Sequence, residues 1–247
     1  MDDGREPDGS GGAHFFVDDL EQPVLDDQDL HHATRVLRLR SGEPITVSDG
    51  RGRWRPGRFG DEIEVAGDIV SVLAATPPLT VGFALVKGAK PELVIQKLCE
   101  LGIDRIEPFV AERSVVRWDE ARAGRAHERW GAIVRSAAMQ SRQVRLPEVA
   151  PVAPFVAIVA GRSAGAPVAP VALADVGGRP PRRGDTRVLV GPEGGWSDAE
   201  REHGLERIAI GRNVLRAETA AIAVGAILVA LRESLVEPTE SADPPGE

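Results

Sequence analysis

The 247-residue chain has one cysteine, no tyrosine and only three lysines. A lone Cys99 excludes an intramolecular disulfide and any metal site built from several cysteines. Its setting, Leu93-Val94-Ile95-Gln96-Lys97-Leu98-Cys99, is that of a buried core thiol rather than a nucleophile. No apolar run is long enough, or suitably flanked, to span a bilayer, and the first residues are acidic rather than those of a signal peptide. These absences point to a soluble cytoplasmic protein with neither a membrane nor a metal partner.

An excess of positive charge is also lacking: the formal net charge is −8. That total hides an uneven distribution. Residues 1–29 hold ten acids against Arg5 alone, and residues 233–247 hold five acids and no base. The segment between them has 23 acids and 29 bases, and residues 30–58 alone carry seven arginines against two acids. Local charge governs phosphate contact because salt screens anything beyond about 8–10 Å. A nucleic-acid partner therefore stays open.

Residues 1–13 are polar and glycine-rich and read as a disordered leader, and residues 236–247 as a disordered acidic tail. From residue 14 to 74 the pattern is one of short strands: His14-Phe15-Phe16-Val17, Pro44-Ile45-Thr46-Val47-Ser48 and the alternating 63–70 stretch, with a short helix over 31–40. A small β-barrel closes such strands without leaving edges. Ala74-Ala75-Thr76-Pro77-Pro78 breaks the pattern and marks a domain boundary.

Beyond it, from residue 79 to 235, strands and helices alternate, which predicts an α/β domain with a parallel sheet. Strands are expected over 79–86, 105–110, 168–173, 187–190 and 207–210, and helices over 91–101, 119–140 and from Ser197, a capping residue with Glu200 three positions on. Residues 177–184 read as a connector. The 119–140 helix carries Arg122, Arg125 and Arg129 on one side, which is either a phosphate track or simply a wet face. Residues 219–231 are apolar on every side yet too short for a bilayer, so they predict a helix buried all round, centrally or in a dimer interface.

Two loops carry the chemistry. A buried strand, Val188-Leu189-Val190, runs into Gly191-Pro192-Glu193-Gly194-Gly195. Glycines let a backbone approach a ligand and offer N–H donors. No Lys-Ser/Thr follows, Glu193 would repel phosphate, and no G-x-G-x-x-G is present, so neither a P-loop nor a dinucleotide fingerprint fits. The loop suits a ligand with an uncharged or cationic part, although a tight turn would look the same. The second loop, Ile210 to Ala220, contains Leu215-Arg216-Ala217-Glu218-Thr219 and leads into the apolar helix. Loops from successive parallel strands converge at one sheet edge, where ligands bind.

The pairing of Gly-Pro-Glu-Gly-Gly with Leu-Arg-Ala-Glu-Thr-Ala about twenty residues later resembles the RsmE-type 16S ribosomal RNA uridine-N3 methyltransferases of the SPOUT superfamily. Arg35-Val36-Leu37-Arg38, Lys87-Gly88, Ile95-Gln96-Lys97, Glu100-Leu101-Gly102 and Glu112-Arg113-Ser114 extend the likeness over residues 14–235. The resemblance implies a PUA-like N-terminal barrel that meets RNA through Arg35, Arg38 and Arg40. It implies a C-terminal domain tied in a deep trefoil knot, a homodimer, and S-adenosylmethionine (SAM) as cofactor. Its substrate would be 16S ribosomal RNA or the small ribosomal subunit. Gly191, Glu193, Gly194, Gly195, Ile210, Leu215, Arg216, Glu218, Thr219 and Ala220 would line the cofactor site, with Leu85 a weaker member.

One departure stands out. Where the family has Glu-Gln-x-Gly-Arg, this chain has Met139-Gln140-Ser141-Arg142-Gln143. That puts a general-base role for the family's Glu in doubt; Arg216 is expected to stabilise charge on a uracil carbonyl, with Gln140 or Arg142 orienting the base. Rival readings are a SPOUT enzyme for another RNA, a non-catalytic RNA-binding module using Arg35, Arg38, Arg40, Arg51, Arg53 and Arg55, and a small-molecule α/β enzyme.

Overall fold

The structure is a computed structural model that describes residues 6–88, 90–116, 118–161 and 170–236. It divides into two compact units, residues 1–75 with 132–146, and residues 76–131 with 147–247. The first unit is thus not one continuous stretch: residues 132–146 belong with it, which a boundary at 74–78 alone does not convey.

In the first unit β1 (Ala13–Phe16) pairs in parallel with β2 (Pro44–Ser48). A helix α1 (Asp27–His31) and a single π-turn (His32–Val36) lie between them in sequence. β2 pairs antiparallel with β3 (Arg53–Arg58), which in turn pairs with β4 (Glu64–Val65) and β5 (Val70–Ser71). Phe15, Ile45, Val47 and Ala33 are fully buried at the centre of this unit.

Four expectations change here. The 31–40 helix stops in the π-turn, and Arg38 sits at φ 56°. The 63–70 stretch is two two-residue strands rather than one. β3 has no counterpart in the sequence reading because Pro56 and Gly57 look like turn residues, yet Pro56 lies opposite Thr46 in the ladder. The leader is ordered from Glu6 onward within the described residues: at Gly12, φ +76°, an added Cβ would lie 1.8 Å from the Pro44 carbonyl oxygen, so only glycine lets the chain approach β2 this closely. Residues 1–5 and 237–247 fall outside the described residues, as do the first two positions of the expected 168–173 strand, which begins at Ala172.

The second unit is a parallel sheet. β6 (Thr80–Ala84) is flanked by β7 (Arg105–Val110) and, on its other side, by β11 (Arg187–Val190); β10 (Ala172–Arg179) and β12 (Glu206–Ile208) lie beyond β11. β8 (Glu148–Val149) and β9 (Ala153–Pro154) pair with β7. The helices are α2 (Lys90–Glu100), α4 (Phe155–Val159), α5 (Asp198–Arg201) and α6 (Ala217–Arg232), with α3 (Glu120–Ser141) beginning in this unit and counted with the first from residue 132. The chain builds outward from β6 to one side and then returns to the other. The carboxyl ends of β10, β11 and β12 lie side by side, because β10 pairs in parallel with both of the others.

Residues 177–179 are not a connector: they continue β10 past an irregularity, with Gly178 so close to the Arg207–Ile208 backbone that a Cβ would lie 2.6 Å from it. Arg179 secures this end, donating to Asp185 Oδ1 at 2.6 Å and to Glu206 Oε2 from its Nε at 2.8 Å. Cys99 is a core thiol whose pKa burial pushes up to about 12.

On one face of the sheet a charged cluster is fully enclosed. Glu107 accepts from Arg105 Nε at 3.0 Å and from Arg187 at 3.0 and 2.9 Å. Arg187 reaches across β6 because Gly82, in register with both Glu107 and Leu189, carries no side chain there.

Helix α6 is not buried all round within one chain. Ala217, Ala221, Val224, Gly225, Leu228 and Leu231 form the buried stripe. Gly225 meets α2 so closely that a Cβ would lie 2.6 Å from Leu98 Cδ2. The opposite side, with Thr219 and Ala226 exposed and Ile222, Ala223, Val229 and Ala230 half-buried, stays partly open.

Candidate functional site

The loops leaving β10, β11 and β12 form an open-mouthed cleft. Ala174, Asp175 and Val176 come from β10, and Gly191, Pro192, Glu193 and Gly195 from the loop after β11. Ile210, Gly211, Asn213, Val214 and Leu215 follow β12, and Ala217 and Ala220 come from the first turn of α6.

Trp196 forms part of the wall. Its indole N–H donates to the Ala174 carbonyl at 2.9 Å, and its ring stacks on Phe109 at 6.0 Å, 6° from parallel. This explains Gly191, where a Cβ would press on indole atoms at 3.0–3.3 Å. Glycine is needed there for the tryptophan as well as for any ligand. Gly195 is different: φ is +70° and its Cβ position is open, so the turn itself requires glycine. Ser197 and Glu200 make the expected capping box at 3.1 and 2.9 Å. The second carboxylate oxygen of Glu200 accepts from Glu112 N–H at 2.9 Å, fixing the segment after β7.

Charge in the cleft has one sign. Asp175 and Glu193 line it, and among the described residues no lysine, arginine or histidine does. Arg201 and Arg207 approach Asp175 from outside at 3.1 and 3.5 Å. Lys90, at the start of α2, lies 3.1 Å from Glu218 and 3.7 Å from Glu193, so it ties the two motif loops together. Burial opposes ionisation of Glu218, but its own backbone N–H, Lys90 and Arg216 outweigh this and hold the carboxyl below its usual range. The lining carboxylates are each paired from outside, so the cleft offers hydrogen-bond acceptors to a ligand while presenting no cation of its own among the described lining residues.

Of the residues singled out in the sequence, Gly191, Glu193, Gly195, Ile210, Leu215 and Ala220 line the cleft. Gly194 faces away, against Arg113. Leu85 is fully buried just past β6, its N–H bonded to the Phe109 carbonyl. Glu218 meets Lys90, and Thr219 is exposed. Arg216 is the N-cap of α6, exposed, and its guanidinium has no hydrogen-bond or ion-pair partner among the described residues. The sequence reading misses Asp175, Trp196 and Lys90. Asp175 becomes visible from the alternation leading into it once the strand is placed at 172 rather than 168.

Gln140 and Arg142 lie in the other unit. Gln140 is exposed on the last turn of α3, whereas Arg142, at φ 60°, donates to the Gly12 carbonyl. Arg35, Arg38 and Arg40 are exposed. Arg55, by contrast, is buried and donates to the carbonyls of Leu20 at 3.0 Å and Gly67 at 2.7 Å, so it is a structural residue, and Arg53 pairs with Asp49 at 2.8 Å. Among the described residues no group of three potential metal ligands occurs, and no helix is long and apolar enough to cross a membrane.

Comparison with known proteins places this architecture. Residues 74–229 match the family described as RNA methyltransferase domain, and residues 25–65 match RNA methyltransferase PUA domain. The ribosomal RNA small subunit methyltransferase E of Mycobacterium bovis is 35% identical, the match covering 86% of this chain and 90% of that protein. The protein of the same name from Bacillus subtilis is 31% identical, over 83% and 91%. The crystal structure of the Neisseria gonorrhoeae methyltransferase E bound to SAM superposes with a TM-score of 0.73 at 25% identity, covering 89% of this chain and 97% of that one. A Legionella pneumophila methyltransferase, also solved with bound SAM, gives 0.73 at 26% identity, covering 88% and 97%. The chain therefore belongs to the RsmE-type RNA methyltransferases, with a PUA-type domain ahead of a SPOUT methyltransferase domain.

Proposed function

We propose that this protein transfers a methyl group from SAM to N3 of a uridine in 16S ribosomal RNA, acting in the cytoplasm on that RNA or on the small ribosomal subunit. The observation that carries the reading is the cleft: glycine-bearing loops at the ends of three adjacent parallel strands, lined by carboxylates and, among the described residues, by no cation. SAM fits such a lining, since it carries a sulfonium and an ammonium, and its adenine can rest on the apolar side chains of Ile210, Leu215 and Ala220. The relatives' names and the SAM-bound neighbours point the same way.

When bound, SAM supplies an electrophilic methyl group. To accept it the uracil N3 would give up its proton to solvent water, and negative charge then develops on the ring carbonyls. Arg216, unpartnered among the described residues and set between Leu215 and Ala217 of the cleft, is placed to stabilise that charge. Gln140 and Arg142 lie in the N-terminal unit, Gln140 exposed and Arg142 engaged by the Gly12 carbonyl, and neither is given a part in the cleft. Glu218 serves the loops through Lys90. The substrate base must leave its stack to reach the cleft. The reading includes the trefoil knot and the homodimer that the family resemblance implies. The half-open apolar side of α6, together with Leu235 at 74% exposure, supports the second.

Calorimetric titration with SAM tests the cofactor assignment. One SAM per chain is expected, with a Lys90→Met variant binding about two- to fivefold more weakly because the two loops lose a part-exposed tie. Absence of SAM binding would overturn the cofactor assignment and favour an RNA-binding module. Unchanged affinity in the variant would remove Lys90 from the account.

A further inference from the structure

A second, open-mouthed cavity lies wholly within the N-terminal unit. We infer that it seats one unpaired RNA nucleotide, the base inside and the phosphates toward Arg35, Arg38 and Arg40; this rests on the RNA methyltransferase reading and names the contact that the N-terminal unit makes with that substrate.

One wall is a face of α3, where Ala132, Ser136, Met139 and Gln140 recur at helical spacing. The facing wall is the end of α1 and the π-turn, with His31, His32, Val36 and Leu37. Val36 and Leu37 are exposed apolar side chains, at 62% and 42%. The walls thus combine apolar surface, two imidazole rings able to stack on a base, and hydroxyl and amide groups able to read its edge. No side-chain hydrogen bond occupies Ser136, Gln140, His31 or His32 among the described residues.

Arg135, Asp29 and His14 also line the cavity and are tied into the fold. Arg135 joins Asp29 at 2.5 Å and the Phe16 carbonyl at 2.9 Å. His14, 3% exposed, is held at Nδ1 by Thr46 Oγ1 at 2.8 Å. Burial depresses its pKa to about 4, so the ring is neutral at physiological pH. A π-turn and a non-glycine residue at φ 56° both carry a backbone cost, and both fall in the segment that forms the mouth. Arg35, Arg38 and Arg40, one to three residues from the lining residues Val36 and Leu37, are exposed and their guanidinium groups have no partner among the described residues. Exposed cations next in sequence to a polar-edged cavity match a nucleotide, in which a phosphate adjoins a base.

The test uses the full chain and fluorescein-labelled heptauridylate and heptaadenylate, with binding followed by anisotropy over a range of potassium chloride concentrations. Ser136→Trp fills the cavity from an exposed helix position. It should weaken binding of at least one oligonucleotide about tenfold at fixed salt without changing the salt slope. Ala132→Trp, one turn earlier on the same exposed face, should act alike and guards against a folding artefact at one site. Arg35→Ala should instead reduce the slope by about 0.7, one phosphate contact. Heparin, a polyanion without bases, should bind wild type and both tryptophan variants equally. Unchanged oligonucleotide affinity in both tryptophan variants overturns the inference, as does equal weakening toward heparin. If SAM binding is intact in that case, only the cavity assignment falls. If wild type binds neither SAM nor RNA, the underlying reading falls with it.

Discussion

Alanine at Arg216 is expected to lower methyl transfer about a hundredfold or more, while SAM affinity changes by no more than a few fold. The expectation follows from where the side chain sits. Arg216 is exposed at the N-cap of α6, its guanidinium makes no bond that supports the fold among the described residues, and it is flanked on both sides by residues of the cleft. Apart from its electrostatic pull on Glu218, the side chain makes no hydrogen bond or ion pair in the resting structure among the described residues, so its main effect comes when charge appears beside it. Stability should therefore be unchanged, and thermal unfolding of the variant checks this alongside steady-state kinetics. Equal loss of turnover and SAM affinity would make Arg216 a cofactor ligand. Loss of neither would remove it from the mechanism.

Glu107→Ala is expected to destabilise the C-terminal unit by about 3–5 kcal/mol. The carboxylate is fully buried and is the shared acceptor for two buried guanidinium groups, Arg105 and Arg187. Removing it strands two positive charges in the sheet, and an uncompensated buried charge costs far more than the intact cluster contributes. Urea unfolding followed by tryptophan fluorescence reads the effect, because Trp196 stacks on Phe109 two residues further along the same strand. A loss below about 1 kcal/mol, the range of exposed ion pairs, would mean that water reaches the cluster.

Much of the C-terminal unit is legible in the sequence because its signals are local. The β11 strand announces itself as an apolar run ending in glycines, and Ser197 with Glu200 forms the capping box that its spacing predicts. The elements that are not legible are those in which tertiary pairing overrides local preference. β3 contains Pro56 and Gly57, and β10 ends in Gly177-Gly178-Arg179; each looks like a turn, and each is held in a sheet by its neighbours. Misplacing β10 conceals Asp175, since a residue at a strand end is recognised only once the strand is. Arg55 groups with the exposed cations in any reading of charge alone, and no sequence pattern distinguishes it from Arg53; only the carbonyls of Leu20 and Gly67 do. Helix α6 teaches the converse. Its uniform apolarity predicts burial on all sides, but one chain buries only a stripe, and the remainder needs another surface.

The site shows the same division. Six of the motif residues converge on the cleft, while Gly194 and Leu85 serve packing, and Lys90 becomes visible only when the two loops are seen to share it.

The central claim is methyl transfer from SAM to N3 of a uridine in small-subunit RNA. Its most direct test is incubation of the full chain with methyl-labelled SAM and 30S particles lacking the modification, followed by digestion of the 16S RNA and nucleoside analysis. The account predicts label in 3-methyluridine and in no other nucleoside, abolished when the cleft is blocked by Ala220→Trp. Label in a different nucleoside, or none in particles that an active control enzyme can methylate, would contradict it.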